Sequence, residues 1–168
     1  TDTFTYQADT DYTPAVTVVV DGTTLVKNRD YTVSYANNHN ASTAENPATV
    51  TVTLTGNYGG SKTVPFTITK ASFTANVLLS DWTYDRVFRQ PQLDSVPSGS
   101  GAVTYYYVSE GQTATTVQPV NAGTYTVYAV IAGNDNYEEV TTAEHEFTIN
   151  KREITIRSND DEFLYDGL

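Results

Sequence analysis

Cysteine and methionine are absent from the 168 residues, tryptophan occurs once, and leucine is scarce. Without cysteine there is neither a disulfide framework nor a thiolate metal site, so the fold must rest on packing and hydrogen bonds. Scarce leucine leaves little material for amphipathic helices, and no window places apolar residues at helical spacing. No apolar run approaches the ~18 residues that a membrane-spanning helix needs. If the protein is exported, its leader is expected outside these residues. Basic residues are also few: 9 Lys+Arg stand against 20 Asp+Glu, a net charge of −11. That field repels phosphate backbones and anionic lipid, which disfavours nucleic acid and membrane contact; solubility is its simplest role.

The parts for catalysis are short as well. No G-x-S-x-G occurs, and the two histidines, His39 and His145, lie far apart in sequence. Glu138-Glu139 and Asp160-Asp161-Glu162 are adjacent carboxylates in polar runs, the pattern of a solvated surface rather than of a glycosidase pair across a cleft. The expectation is a protein that is not an enzyme and carries no cofactor.

What the chain does have is threonine, valine and 13 tyrosines, all strand formers. It also repeats itself. Phe66-Thr67-Ile68-Thr69-Lys70 returns as Phe147-Thr148-Ile149-Asn150-Lys151, and Tyr84-Asp85-Arg86 returns as Tyr165-Asp166-Gly167, both at a spacing of 81 residues. Two unrelated marks with one period indicate tandem units. The boundaries predicted are 1–70 for a first unit, 71–151 for a second, and 152–168 for the opening strand of a third, so the natural protein is expected to continue. In that last segment Ile154 and Ile156 repeat an alternating strand pattern, and an unpaired apolar strand there would seek an edge on its own or another chain.

Within the units, short alternating stretches separated by turn residues recur at roughly 8–12 positions, the pattern of a β-sandwich. Val16, Val18 and Val20 run into Asp21-Gly22; Tyr31, Val33 and Tyr35 follow the polar turn Asn28-Arg29-Asp30. Val50, Val52 and Leu54 run into Gly56-Asn57-Tyr58-Gly59-Gly60. In the second unit Val103–Val108 is apolar or aromatic on both faces, which predicts a central strand. Tyr125, Val127, Ala129 and Ile131 alternate into Gly133-Asn134-Asp135-Asn136-Tyr137. Between Ile68 and Phe73 no Gly/Ser or Pro linker intervenes, so the two units are expected to be joined stiffly. At ~3.3 Å per residue, ten-residue strands give units of roughly 35 Å and a pair of roughly 70 Å.

With A-G-T-Y-T-V (Ala122–Val127), G-N-D-N-Y, F-T-I-N-K and Y-D-G in hand, the chain resembles bacterial immunoglobulin-like repeats of the YDG/MBG type. Asp30–Tyr35, Asn37-Asn38, Gly56-Asn57-Tyr58 and Phe66–Ile68 make the first unit similar to the same group. The resemblance covers nearly the whole chain, and Arg86 departs from it by standing where the motif has glycine. It implies an all-β fold of tandem immunoglobulin-like sandwiches arranged end to end, without disulfides. It also implies a cell-surface or secreted, extracellular protein in which such repeats serve as non-catalytic stalks projecting an adhesive or catalytic domain. The partners implied are neighbouring repeats of the same chain, with a monomer expected.

Several residues are singled out on physical grounds. Tyr125 stands two residues before Val127, where a sandwich of the immunoglobulin kind carries its second cysteine, so Tyr125 is expected to form a tyrosine corner over a core Val127. Trp82, beside the Tyr-Asp turn, is expected to plug the core or a junction. The competing function is an adhesin or carbohydrate-binding module recognising a host or environmental glycan or protein, for which Trp82, Tyr105 and Tyr107 are the candidate stacking rings. Ca²⁺ is the one metal the donors could suit, with Asp135, Asp160 and Asp161 as weak candidate ligands beside turn-forming neighbours.

Overall fold

The computed structural model describes residues 2–157. Among them there is no helix; the chain is all-β. The first six strands are β1 (Thr3–Thr5), β2 (Val19–Val20), β3 (Thr23–Thr24), β4 (Tyr31–Ala36), β5 (Ala48–Leu54) and β6 (Ser61–Thr69). Four of them form one sheet in the order β1-β6-β5-β4, in which β5 is antiparallel to both neighbours and β1 runs parallel to β6. Alternation explains the packing: Ala48, Phe66 and Ile68 project from one face into a core that Phe4, Tyr6, Tyr12 and Tyr35 close. β2 and β3 form a separate hairpin. Asp21 and Gly22 both adopt positive φ there, the conformation of a primed two-residue turn that matches strand twist. The layer facing the sheet is largely irregular between β1 and β2. Tyr31 and Tyr35 lash it down by donating their hydroxyls to the carbonyls of Val16 (3.1 Å) and Pro14 (2.8 Å).

The next seven strands are β7 (Val77–Leu78), β8 (Trp82–Thr83), β9 (Gln92–Leu93), β10 (Val103–Ser109), β11 (Gly123–Ile131), β12 (Val140–Thr141) and β13 (His145–Asn150). The larger sheet runs β10-β11-β13-β8 with β12 also on β11, and β7 pairs with β9 in a small facing sheet. Val77, Tyr107, Val127, Ala129, Phe147 and Ile149 fill the space between. The several sheets fit a β-sandwich. No named strand up to Thr69 pairs with one after Val77 among the described residues.

Two features repeat between the halves. β8 runs parallel to β13 as β1 does to β6, and Ile149 and Ile68, 81 positions apart, face Trp82 and Phe4 respectively. Phe4-Thr5-Tyr6 therefore matches Trp82-Thr83-Tyr84, a likeness that the 81-residue register hides because these triplets are 78 apart.

A sequence expectation is corrected. β10 lies at the end of its sheet, not in the middle. Its outward Tyr106 is covered by stacking on Tyr128 across the ladder (5.3 Å, 13°), and Tyr107 makes an isolated bridge with Thr115 on the outer side. One neighbouring ring and a short bridge thus supply the apolar cover that a second strand was expected to give. Of the predicted opening strand of a third unit, Arg152–Arg157 lie in the described part and in no strand, as Ser72–Asn76 do at the matching positions of the second half, and Ile154 and Ile156 are exposed. Its remaining residues, with Tyr165-Asp166-Gly167, lie outside the described part.

Candidate functional site

Phe147 is the centre of the second core. Its position on β13 points it inward at 1% exposure, with Trp82 stacked on it (5.4 Å, 9°) and Tyr125 on it at 5.7 Å. Phe88 packs edge-on to both Trp82 and Tyr107. The Tyr125 hydroxyl donates to the carbonyl of Asn121, four residues upstream, at 3.0 Å. Gly123 makes that geometry feasible, because a Cβ there would lie 3.2 Å from the Tyr125 hydroxyl. Val127 is fully buried beneath.

These placements bear on the three candidate sugar-stacking rings. Tyr107 is 3% exposed, Tyr105 is half-buried against the same core, and Trp82 spends a face on Phe147. They converge on the interior and do not form an exposed strip. Burial pushes the Tyr107 hydroxyl up to about 12, with Tyr105 adding to the effect and Gln118 opposing it. Gln118 acts from nearby without reaching hydrogen-bonding geometry, and the hydroxyl has no partner among the described residues. An ionised Tyr107 would be a buried charge without compensation.

The calcium candidates are scattered. Asp135 is exposed in its turn, and Asp160 and Asp161 lie outside the described residues. Asn134, beside Asp135, uses its side-chain oxygen as an Asx turn, accepting from the N–H groups of Asn136 and Tyr137 (both 2.9 Å). No cluster of three or more metal-ligating side chains occurs among the described residues. His39 pairs with Asp11 at 2.8 Å on the surface, and His145 contacts the carbonyl of Leu79 at 2.7 Å. Neither imidazole has a hydroxyl or thiol hydrogen-bonded to it among the described residues.

The most organised polar arrangement was not singled out from the sequence. The turn Asn134–Tyr137 reaches across to the first half of the chain. The Asn136 side chain accepts from the Ala41 N–H (2.9 Å) and donates to the Asn40 side-chain oxygen (3.1 Å). Its backbone carbonyl accepts from Ala71 N–H, and the next-but-one N–H, that of Glu138, donates back to Ala71, both at 2.9 Å. Tyr137 is buried at 7%, meeting Tyr6 (5.4 Å, 85°) and Phe73 (5.8 Å, 90°) edge-on. The connecting residues Lys70–Phe73 are thereby held against this turn. The available signal was the dipeptide Asn40-Ala41, which recurs 81 residues later as Asn121-Ala122.

A scan of protein-family models and a search of curated proteins find no match to this chain.

Proposed function

We propose that this chain is a stiff, non-catalytic spacer from a bacterial cell-surface or secreted protein, built from tandem immunoglobulin-like repeats of the YDG/MBG type. Its task is to hold an adhesive or catalytic domain away from the cell. The observation that carries the proposal is the turn at Asn136–Glu138. Four hydrogen bonds and two edge-on aromatic contacts tie it to residues 6, 40, 41, 71 and 73, so the connection is held in place by contacts on both sides. A spacer needs such a fixed joint, since swivelling units would collapse the reach that extended strands provide.

The mechanical side rests on the parallel pairs β1–β6 and β8–β13. Each sets an early strand of a unit beside its last one, so that tension on the two ends loads their mutual hydrogen bonds sideways and together. Carbohydrate binding finds less support, because Tyr107 is inside and Trp82 stacks on Phe147. Small-angle scattering tests the spacer: an elongated particle of roughly 70 Å is expected. A compact globule would refute it. A glycan array with no hits is the companion expectation.

A further inference from the structure

The seat that receives Asn136-Tyr137 has a second copy. At the corresponding end of the second half stand Asn121 and Ala122 for Asn40 and Ala41, and Arg152 and Ile154 for Ala71 and Phe73, each 81 positions on. Tyr84 matches Tyr6, since each donates its N–H to the carbonyl ending its unit's last strand, Asn150 and Thr69 respectively, at 2.9 Å. In the first half these positions are covered by the Asn-Tyr turn. In the second half they surround an open cavity of about 710 Å³ that Asp85, Arg86 and Lys151 also line. Among the described residues, the Ala122 N–H and the Asn121 side chain have no hydrogen-bond partner. Ile154, where Phe73 is half-buried by Tyr137, is 78% exposed. Arg86, Lys151 and Arg152 give the rim positive charge, whereas the one turn seen in such a seat is acidic, with Asp135, Glu138 and Glu139 flanking Asn136-Tyr137.

We propose that this cavity is a docking socket for the acidic Asn-Tyr turn of a further repeat unit. Its asparagine pairs with the Ala122 N–H and the Asn121 amide, and its tyrosine enters between Tyr84 and Ile154. The inference deepens the spacer reading and rests on taking the two halves as copies of one module. The joint between repeats is then a standard plug and socket, and the array grows by one socket per unit.

The test is amide hydrogen exchange by NMR on the chain and on a version lengthened after Ile154 with a second copy of residues 74–151. In the lengthened protein the Ala122 amide should slow about a hundredfold, towards the rate of Ala41, as expected for a few net hydrogen bonds. Substituting the added copy's tyrosine equivalent to Tyr137 with alanine should undo the slowing. An added unit that protects its own core amides while Ala122 exchanges as before overturns the socket. So does an Ala122 already protected in the original chain: independent of concentration, its own residues fill the cavity; dependent on it, a second copy does. Should the added copy not fold, the peptide Gly133–Glu139 is titrated into the labelled chain at millimolar concentration. Shifts at the Tyr84, Ala122 and Arg152 amides are expected, and their absence counts against the socket. Scattering on the lengthened protein separates the two proposals. A protected Ala122 in a compact particle sinks the spacer alone, and an unprotected one in an elongated particle sinks the socket alone.

Discussion

Asn136→Ala removes the side chain that joins the two halves while leaving the backbone of its turn intact, because the Asx turn belongs to Asn134. Two hydrogen bonds disappear, one from the Ala41 N–H and one to the Asn40 side chain. At about 1 kcal/mol net each, their loss costs about 2 kcal/mol. The half-buried Ala41 N–H is also left without its acceptor, which brings the total to about 2–3 kcal/mol. That cost falls on local opening of the joint. The Ala41 amide should therefore exchange about 30- to 150-fold faster in the variant, at 1.4 kcal/mol per tenfold. Ser42 is the internal control: its N–H donates to the carbonyl of Ile68 on β6, inside the first half, at 2.7 Å, so its rate should not move. Trp82, the single tryptophan, reports the second core by fluorescence, and its urea midpoint should shift little. Equal Ala41 rates in parent and variant would refute the claim that this side chain locks the joint.

Tyr125→Phe deletes the 3.0 Å bond to Asn121 and should lower stability by about 0.5–1.5 kcal/mol, read as a reduced urea midpoint by Trp82 fluorescence. Arg86→Gly should act in the opposite direction. Arg86 sits at φ +67, a left-handed conformation costing a side-chain-bearing residue about 1–2 kcal/mol, and glycine's greater unfolded freedom returns part of that. A rise of about 0.5–1 kcal/mol in unfolding free energy is expected, and a fall would show that the Arg86 side chain supplies an interaction not seen here. Acid should weaken the fold. Backbone donation from Val87, then Arg89, holds Asp85 below its ordinary value; Asn76 does so for Asp94, and Arg29, then the Val26 N–H, for Asp30. Carboxylates depressed in the folded state stabilise it above their unfolded pKa of about 3.9, and that contribution drains away as pH falls through the folded values. Urea midpoints measured from pH 6 downwards should thus drop below about pH 4, with a shallower drop in Asp94→Asn.

The strands were legible where one face is buried and the other wet. Tyr31–Ala36, Ala48–Leu54 and His145–Asn150 alternate in sequence as they do in space, because each lies over a single core. Alternation misled at Val103–Ser109, where the outward Tyr106 is apolar for the sake of one cross-strand ring and not a second layer. Over Ala15–Val20 it foretold the face but not the pairing: Val16, Val18 and Val20 are half-buried as expected, yet only Val19–Val20 form a strand, and the stretch before it is held by the hydroxyls of Tyr31 and Tyr35, groups distant in sequence that carry no periodic signal. The aromatic candidates were chosen by residue type, and type does not tell a ring facing water from one facing Phe147. The seat at Asn40-Ala41 went unread for a related reason. Its function lies in pairing with a residue 95 or 96 positions away, and only the recurrence of the dipeptide at the repeat spacing betrays it.

That separation in sequence has a consequence for biosynthesis. A chain leaving the ribosome at about 5–20 residues per second exposes Ala41 roughly 5–20 s before Asn136 exists to meet it. During that interval the amino-terminal half is held by its own sheet and the core around Ala48, Phe66 and Ile68, while the side of Tyr6 that Tyr137 meets stays uncovered. A nascent-chain protease assay should find it cleavable near Tyr6 until Tyr137 has emerged and resistant afterwards, so that the carboxy-terminal half finishes the amino-terminal one.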